Sequence, residues 1–417
     1  MIPILEKINS LVWGAGLVSL LLLTGLIFTI RLKCPQLRLF PDLIKLLKNN
    51  PSAGSLKTVS MALGTSMGTG NIVGVCSALS IGGAGAVFWM WVSALLGMAV
   101  VYAENSLSYI YSGSDGKGPM AYIKKGLSAP LRASFFAAAC VGAAFGMGGM
   151  VQVNSAVENV GGSLSVRAVI AAGAFVLIYM VVSGGADRIG SAAELLLPFV
   201  TIVYTGCCVA VIFLFRSRLP EVVSSVFREA FSFRGAAGGT AGYALSVGIR
   251  RGIFSNEAGL GSSPLVHSSA KDTAAGVQET FAMLEVFIDT IFCCTLTAGA
   301  VLCASPDGSA SGAFRCLFEE STDEVLTLLL TVFSFCTIIG WYYCGETAFL
   351  FLRNKEKSRV FPVIFAAVAS TGALFPAGGV WLVSDIFNGV MAFPNIAALL
   401  LLRKEVGRNK SGKAVNK

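Results

Sequence analysis

Charged residues are scarce in this sequence. Of its 417 residues only 13% are Asp, Glu, Lys or Arg, whereas 55% are hydrophobic, and the mean hydropathy is +0.75. A soluble globular chain carries about 25% charged residues. Because about half of that charge is missing, most side chains must face hydrocarbon or other apolar helices. The composition therefore predicts an all-α polytopic membrane protein.

Several motifs of catalysis and ligand binding are also missing. The sequence has one histidine and lacks a CxxC pair, a Cys/His cluster and an HExxH motif, so we expect neither a zinc site nor an enzyme. It has no nucleotide-binding motif, and it lacks the repeated filters or rings of like charge that ion channels use. The net charge of +8 comes from short basic clusters between apolar runs, so nucleic acid is not an expected partner.

Cysteines are present, but mostly inside apolar runs. Of the eleven, Cys76, Cys140 and Cys293 are examples of thiols in apolar surroundings, where cysteine usually behaves as a small hydrophobe. Cys303 and Cys316 fall in a predicted outward segment and could form a disulfide. Their spacing alone does not decide between a disulfide and two free thiols.

What the sequence does contain is a series of apolar runs. A membrane-spanning helix needs about 20 such residues. About eleven candidate spans result: 10–30, 56–80, 85–112, 131–154, 167–183, 192–215, 238–262, 276–304, 322–350, 357–375 and 379–402. The stretch 36–50 has leucines at helical spacing beside lysines, which predicts an interfacial amphipathic helix in a cytoplasmic segment, 36–55.

Lysine and arginine are distributed unevenly between alternate loops. One set of loops, which includes 31–57 and 403–417, contains 22 of them, whereas the opposite set contains 7. Since basic loops stay in the cytoplasm, we expect a multi-pass protein of the plasma (inner) membrane with its N-terminus outside and its C-terminus inside. The lipid bilayer is therefore an expected partner, while the sequence does not indicate an oligomeric state.

Two of the candidate spans are interrupted by glycine and polar residues. The second span contains "GTSMGTGN", residues 64–71, and the seventh contains "GIRRGIFSNEAGLGSS", residues 248–263. Matching interruptions in two halves are typical of inverted-repeat transporters that bind their substrate at the breaks. The predicted division is an extra N-terminal helix at 1–35, repeats of five helices at 56–215 and 216–402, and a basic tail at 403–417.

Non-helical backbone at membrane depth is tolerated where it is buried in protein or lines a watery cavity. There, free carbonyls can ligate a cation, and the N–H groups of a half-helix can bind a carboxylate. Thr69, Gly70 and Asn71 fit this use because they combine permissive backbone with side-chain oxygens. The alternative is that the glycines only allow close helix packing, since Gly64 and Gly68 have small-xxx-small spacing.

The motifs resemble those of a known family. They are "GTSMGTGNIVGV", "KGPMAYI", "MVQVNS", "SGGADRIG", "RGIFSNEAGLGSSPLVHSSA", "EVFIDT" and "TIIGWYYCGE". In this order, from about residue 55 to about residue 400, they resemble the alanine/glycine:cation symporters, or sodium:alanine symporter family. The resemblance implies a leucine-transporter-like 5+5 inverted repeat and sodium-coupled uptake of a small neutral amino acid such as alanine or glycine. A proton-coupled permease and a non-transporting amino-acid sensor remain alternatives. Ser66 and Met67 stand where many members have a basic residue before the Gly-Thr-Gly-Asn run.

The resemblance also implies a set of site residues. The substrate-binding candidates are Thr69, Gly70, Asn71, Gln152, Gly252, Ile253, Phe254, Thr337 and Trp341, with Trp341 capping the side-chain pocket. The candidates for binding the co-transported sodium ion are Thr65, Gly68, Asn71, Asp289, Ser334 and Thr337. For Gln152 and Trp341, interhelical bonding and ordinary packing are the competing interpretations.

Ionisable residues inside the spans are candidates for function by default. Asp289 could balance a bound cation, or the three acids Glu257, Glu285 and Asp289 could pair with Arg250 and Arg251 to hold the broken helix open. A further group consists of acids expected in structural pairs near helix ends: Glu104, Glu194 and Glu346. For the single histidine, His267, a solvated position in an inward loop is expected.

Overall fold

The structure is a computed structural model that describes residues 2–48, 53–113, 116–158, 163–231, 240–270 and 276–407. Within these ranges the chain is helical and has no β-strand. The helices are α1 Ile2–Val12, α2 Ala15–Arg31, α3 Leu39–Lys48, α4 Ala53–Ser66, α5 Val73–Gly82, α6 Gly85–Tyr111, α7 Gly118–Ala121, α8 Pro130–Ala143, α9 Val151–Glu158, α10 Leu164–Val182, α11 Gly185–Leu214, α12 Leu219–Ala230, α13 Thr240–Asn256, α14 Ser263–His267, α15 Val277–Val286, α16 Thr295–Ala304, α17 Ala310–Phe318, α18 Thr322–Arg353, α19 Phe361–Thr371 and α20 Ala377–Leu401.

Eight helical stretches in the described part of the chain are long and apolar enough to cross a membrane. They are Pro3–Arg31, Gly85–Tyr111, Pro130–Val157, Leu164–Val182, Arg188–Leu214, Val277–Ala304, Ala310–Arg353 and Ala377–Leu401. The chain is thus a multi-pass membrane protein by helix length and composition. The expected count of eleven is not reproduced, because the other three predicted spans contain two interrupted helices and the 11-residue helix α19.

Both predicted interruptions are present in the structure. Helix α4 ends at Ser66, and after a 3₁₀ turn at Thr69–Asn71 the chain continues as α5. Helix α13 ends at Asn256, and α14 begins at Ser263. We call the two connecting segments, 67–72 and 257–262, the first and the second break. The inverted-repeat relation and the domain boundaries stay predictions.

Wide helical turns interrupt two further helices near the breaks. Between α8 and α9 the residues Ala144–Met150 form a π-helical turn, and between α15 and α16 the residues Phe287–Cys294 form another. Such turns insert extra residues into a helix and are frequent at functional sites. The apolar runs 131–154 and 276–304 predict continuous helices at both places.

Two amphipathic helices lie outside the long apolar stretches. Helix α3 exposes an apolar stripe of Phe40, Ile44 and Leu47 at helical spacing, as expected for an interfacial helix. Helix α12 was not predicted, although its Pro near the N-terminus and its apolar spacing are helix signals. It packs on α6, and Glu229 accepts the N–H of Ala84, the residue before α6, at 2.9 Å.

Candidate functional site

The first break is closed by side chains from two other helices. The Thr337 hydroxyl of α18 donates to the Met67 carbonyl at 3.2 Å. The Gly68 N–H donates to Asn71 Oδ1 at 3.0 Å. Gln152 Oε1 of α9 accepts from the Thr69 N–H at 3.4 Å and from the Thr69 hydroxyl at 3.2 Å. Polar groups that α4 and α5 leave without helical partners are therefore paired with residues predicted to bind ligands.

Glycine is required at position 68 by the close approach of α18. A Cβ atom added to Gly68 would lie 2.3 Å from Thr337 Oγ1 and 3.1 Å from Gln152 Oε1. A Cβ atom on Gly70 would lie 3.5 Å from the Ser255 Cα, which is ordinary contact. Gly70 thus faces the second broken helix directly. The two interrupted helices meet at this point. The alternative interpretation, helix packing through the small-xxx-small pair Gly64 and Gly68, does not account for this contact.

Asp289 joins the two broken helices. Its Oδ1 accepts Asn71 Nδ2 at 2.7 Å, whereas its Oδ2 accepts the hydroxyls of Ser255 at 2.7 Å and Thr290 at 2.7 Å. Asp289 is 0% exposed and Asn71 is 1% exposed. Each of these donors is neutral, so the hydrogen bonds solvate the carboxylate without cancelling its charge. A buried carboxylate held in this way attracts a cation.

At the second break, the last carbonyls of α13 differ in whether they keep a helical N–H donor. The Ile253 carbonyl accepts the Glu257 N–H at 2.8 Å, so it stays within the helical pattern. The Ala258 N–H, which would continue that pattern onto Phe254, instead donates to Asn256 Oδ1 at 3.1 Å. Of the three residues predicted here, Phe254 is therefore the best placed to offer its carbonyl.

Gly252 has a packing role that is visible in the structure. A Cβ atom there would lie 2.1 Å from Ser93 Oγ and 3.3 Å from the Met90 Cα, so glycine lets α13 press against α6. Its predicted contact with a substrate stays a prediction.

Glu257 and Trp341 are bonded to each other. Trp341 Nε1 donates to Glu257 Oε1 at 2.8 Å, and the Ser262 hydroxyl donates to Glu257 Oε2 at 2.5 Å. Trp341 is 0% exposed and packs on α8–α9, where a Cβ atom at Gly148 would lie 2.1 Å from the Trp341 Cβ. The indole thus ties the second break to α18, and its role as a pocket cap stays a prediction.

The arginines of α13 contact partners other than Glu257. Arg250 lies 3.8 Å from Asp385 of α20 and over the Trp13 ring. Arg251 lies over the rings of Phe254 and Trp381. Since both Glu257 oxygens accept from neutral donors, these contacts do not support arginine–Glu257 pairing as the support of the broken helix.

The expectation that His267 is solvated is wrong. The residue is 3% exposed because α14 packs on α4 and α6. Its Nδ1 lies 2.6 Å from Gln278 Oε1, and its Nε2 lies 3.3 Å from Glu285 Oε2. Glu285 also accepts the Ser263 hydroxyl at 3.4 Å.

The other acids have varied surroundings. Glu346 accepts the Tyr342 hydroxyl at 2.7 Å, Glu194 is exposed, and Glu104 is 0% exposed within α6. Asn395 Nδ2 donates to Glu104 Oε1 at 2.5 Å and to the Gly259 carbonyl at 2.9 Å. Asn395 therefore links Glu104 to the backbone of the second break, a connection that the sequence does not reveal.

The predicted sodium ligands fall into two groups. Asn71 and Asp289 form one group with the unpredicted residues Ser255 and Thr290. The other group contains Thr65, Gly68 and Thr337, where the first broken helix meets α18, and Ser334, one turn before Thr337 on α18. Ser334 has a buried hydroxyl without a hydrogen-bond partner, as a side chain awaiting a ligand would. The Thr65 hydroxyl donates to the Met61 carbonyl at 2.9 Å.

The cysteines are free thiols, and Cys294 lies at the site. Its sulfur is 3.5 Å from Asn71 Nδ2 and 3.4 Å from the Ser255 hydroxyl. Cys303 is buried and Cys316 is exposed, and both are unpaired, so the possible disulfide between them is not formed.

Comparison with known proteins identifies the family. The profile of the sodium:alanine symporter family matches residues 1–411. The chain belongs to the sodium:alanine symporter family. It is 35% identical to the sodium/alanine symporter AgcS of Methanococcus maripaludis, in a match covering 96% of this chain and 94% of that protein. The resemblance read from the motifs is confirmed.

Two other relatives of this symporter-family chain come from Bacillus subtilis. The probable sodium/glutamine symporter GlnT is 33% identical, over 95% of this chain and 87% of that protein. The putative sodium/proton-dependent alanine carrier YrbD is 33% identical, over 97% of this chain and 90% of that protein. The chain is accordingly a transporter of a family whose relatives are named for amino acids and sodium.

Proposed function

We propose that this chain is a secondary active transporter that carries a small neutral amino acid, alanine or glycine, into the cell together with sodium. The observation that carries the proposal is Asp289, which receives Asn71 from the first broken helix and Ser255 from the second. A cation bound at this carboxylate would change the hydrogen bonds that Asp289 makes to both interrupted helices, and so the position of both. Transport, rather than a non-transporting sensor, is the function that the family comparison supports.

The substrate carboxylate is proposed to bind at the start of α5, the second half of the first broken helix. Thr69 offers its N–H and its hydroxyl, and both now donate to Gln152 Oε1 over long distances of 3.4 and 3.2 Å. A carboxylate oxygen accepts the same two donors and is a stronger acceptor than an amide oxygen. The positive end of the half-helix dipole favours the exchange. Gln152 would then be free to donate to the substrate.

The ammonium group and the side chain are proposed to face the second broken helix. The Phe254 carbonyl, released from helical bonding, would accept the ammonium, and the Phe254 ring would form an apolar wall. The room is small, because Gly70 lies against Ser255 and Gly68 against Thr337. This crowding favours alanine or glycine over a substrate with a long side chain.

Two positions are proposed for sodium. Asp289 provides a full charge, and the hydroxyls of Ser255 and Thr290 can turn their lone pairs to a cation. Thr337 offers a neutral oxygen beside the first break, and Ser334, one turn before it on α18, offers a buried hydroxyl without a partner. If sodium completes the amino-acid site, each ligand raises the affinity of the other, typically by about 1–3 kcal/mol.

The proposed orientation places the N-terminus outside and the C-terminus in the cytoplasm of the cell membrane. It rests on the distribution of lysine and arginine between the loops. In this orientation α5 and α13 are the outer halves of the broken helices, and α4 and α14 the inner halves.

The deciding experiment is uptake of radiolabelled alanine into proteoliposomes containing the full-length protein. An inward sodium gradient should drive accumulation, whereas equal potassium should not. Accumulation driven by a pH gradient alone would favour the proton-coupled alternative, and binding without accumulation would favour a sensor. Unlabelled glycine should compete, and unlabelled glutamine tests whether the site accepts a longer side chain. Uptake independent of any cation gradient would overturn the proposal.

A further inference from the structure

A basic cavity lies away from the site between the breaks, where α8 begins and α18 ends. It has a volume of about 650 Å³, and its lining includes Lys117, Lys124 and Lys355. Lys117 directly precedes α7, Lys124 lies in the π-helical turn Tyr122–Gly126 that follows α7, and Lys355 follows the end of α18. In the orientation proposed above, these segments lie on the cytoplasmic side. Lysines from two distant parts of the chain therefore line one cytoplasmic cavity.

Aromatic rings of α18 hold two of these lysines in place. Lys117 Nζ lies 5.6 Å from the centre of the Tyr343 ring and donates to the Tyr343 hydroxyl at 3.1 Å. Lys124 Nζ lies 5.7 Å from the centre of the Phe351 ring. Both lysines are half-buried. A lysine that only keeps a loop in the cytoplasm needs no fixed position. The contacts with α18 therefore indicate a second role for Lys117 and Lys124.

The positive charge of the cavity is not balanced by its acidic residues. In the described ranges of the chain, Lys117, Lys124 and Lys355 form no salt bridge. The described lining includes one acid, Glu356, which is exposed. A half-buried ammonium group loses part of its hydration, and this loss is unfavourable unless an opposite charge compensates for it. The cavity is therefore suited to an anion.

Uncharged donors line the same cavity. Ser134 of α8 and Thr347 of α18 are half-buried, and neither hydroxyl has a hydrogen-bond partner in the part of the chain that the structure describes. Pro130, the first residue of α8, also lines the cavity, so the positive end of the helix dipole lies at its wall. Ammonium groups and hydroxyls together can donate to several oxygens of one anion.

We propose that this cavity binds a phosphate group, carried by an anionic lipid or by a soluble molecule, through Lys117 and Lys124. Ser134 and Thr347 donate to further phosphate oxygens. Basic pockets between helices on the cytoplasmic side of a membrane suit phosphate headgroups, and lysine binds phosphate as a point charge. The bound phosphate contacts the α7–α8 region and α18 at once, so it stabilises the folded protein. This binding does not depend on the proposed transport function.

The test is thermal unfolding of the full-length protein in a neutral detergent and a buffer free of phosphate. The protein is titrated with phosphatidylglycerol, with phosphatidylcholine of the same acyl chains, and with inorganic phosphate. Phosphatidylglycerol should raise the melting temperature with saturation, and phosphatidylcholine, whose choline cancels the charge, should not. If inorganic phosphate produces the same saturable rise and removes the effect of phosphatidylglycerol, the ligand is a soluble phosphate compound; if it has no effect, the ligand is the lipid. Equal effects of the two lipids without an effect of phosphate would overturn the proposal.

Variants of the lysines test whether the cavity is responsible for this effect. Lys117→Gln and Lys124→Gln remove the charge, and each should raise the half-saturating ligand concentration about tenfold, as expected when one charge-assisted hydrogen bond is lost. Lys404→Gln is the matched control, because Lys404 is exposed on the same side and does not line the cavity. Its value should change by less than about twofold. Equal changes in all three variants would show general attraction to a basic surface and overturn the site.

A second measurement keeps all the lysines in place. Ser134→Cys puts a thiol at the cavity, and its alkylation by N-ethylmaleimide is compared with that of Cys34, which is exposed, in the same molecules. Peptide mass spectrometry quantifies each thiol. The ligand identified by the titrations should slow alkylation at position 134 relative to Cys34, and phosphatidylcholine should not. An unchanged ratio of the two rates would overturn the proposed site.

Discussion

The two breaks are stabilised in different ways. Besides its own Gly68–Asn71 hydrogen bond, the first accepts from Thr337 and donates to Gln152, which belong to separate helices. The second is held partly by its own residues, since Asn256 accepts from Ala258 and Glu257 accepts from Ser262. Bonds between separate helices can be exchanged for a ligand as the helices move. The first break is therefore suited to binding, and the second to keeping its shape during the movement.

Replacement of Asp289 should have the largest effect, because it removes the charge that both broken helices share. Asp289→Asn should lower sodium-driven alanine uptake by about 100-fold or more, as expected when a charge-assisted interaction is lost. Initial rates, normalised to the amount of protein in the membrane, measure the effect. Thr290→Val is the matched control: it removes one donor but keeps the charge, and a loss as large as that of Asp289→Asn would contradict this explanation.

Gly68→Ala should be the next most severe change, because the added Cβ would lie 2.3 Å from Thr337 Oγ1. We expect about a 30-fold loss of uptake, equivalent to about 2 kcal/mol of strain at the first break. Thr337→Ala removes the clashing oxygen, so the double variant should recover activity relative to Gly68→Ala alone. Strictly additive losses in the double-mutant cycle would show that the contact does not matter.

Gln152→Ala should weaken amino-acid binding without unfolding the protein. If Gln152 contacts the substrate, KM for alanine should rise about tenfold, while the melting temperature changes little. Saturation kinetics and thermal unfolding of the same preparation give both values. A lowered melting temperature with an unchanged KM would instead identify Gln152 as a purely interhelical hydrogen-bonding residue.

Variants of the second break should affect stability more than binding. Trp341→Phe removes the donor to Glu257 and should lower the free energy of unfolding by about 1–2 kcal/mol. Glu257→Gln should lower it by a similar amount, and the double variant should lose less than the sum. Thermal unfolding measures all three. If Trp341 also caps the pocket, Trp341→Phe will alter the KM ratio of alanine to glycine, whereas Glu257→Gln will not.

Local composition was sufficient to predict both breaks, because glycine and polar residues weaken a helix wherever they occur. It also identified Asn71, whose side-chain oxygen bonds within its own turn, but not the contact of its amide nitrogen with Asp289. Contacts between distant segments could not be predicted from local composition. The partner of Trp341 is Glu257, 84 residues away, and the burial of His267 depends on the packing of α14 on α4 and α6. Ser255 reads as an ordinary helix residue until Asp289 is placed beside it.

The wide turn at Ala144–Met150 determines the directions in which the side chains of the following helix, α9, point. Each residue of an α-helix advances the side-chain direction by about 100°. The extra length in this turn therefore decides which side chain of α9 points at Thr69, and in this structure it is Gln152. If the turn relaxed to regular α-helical spacing, another face of α9 would point at the first break.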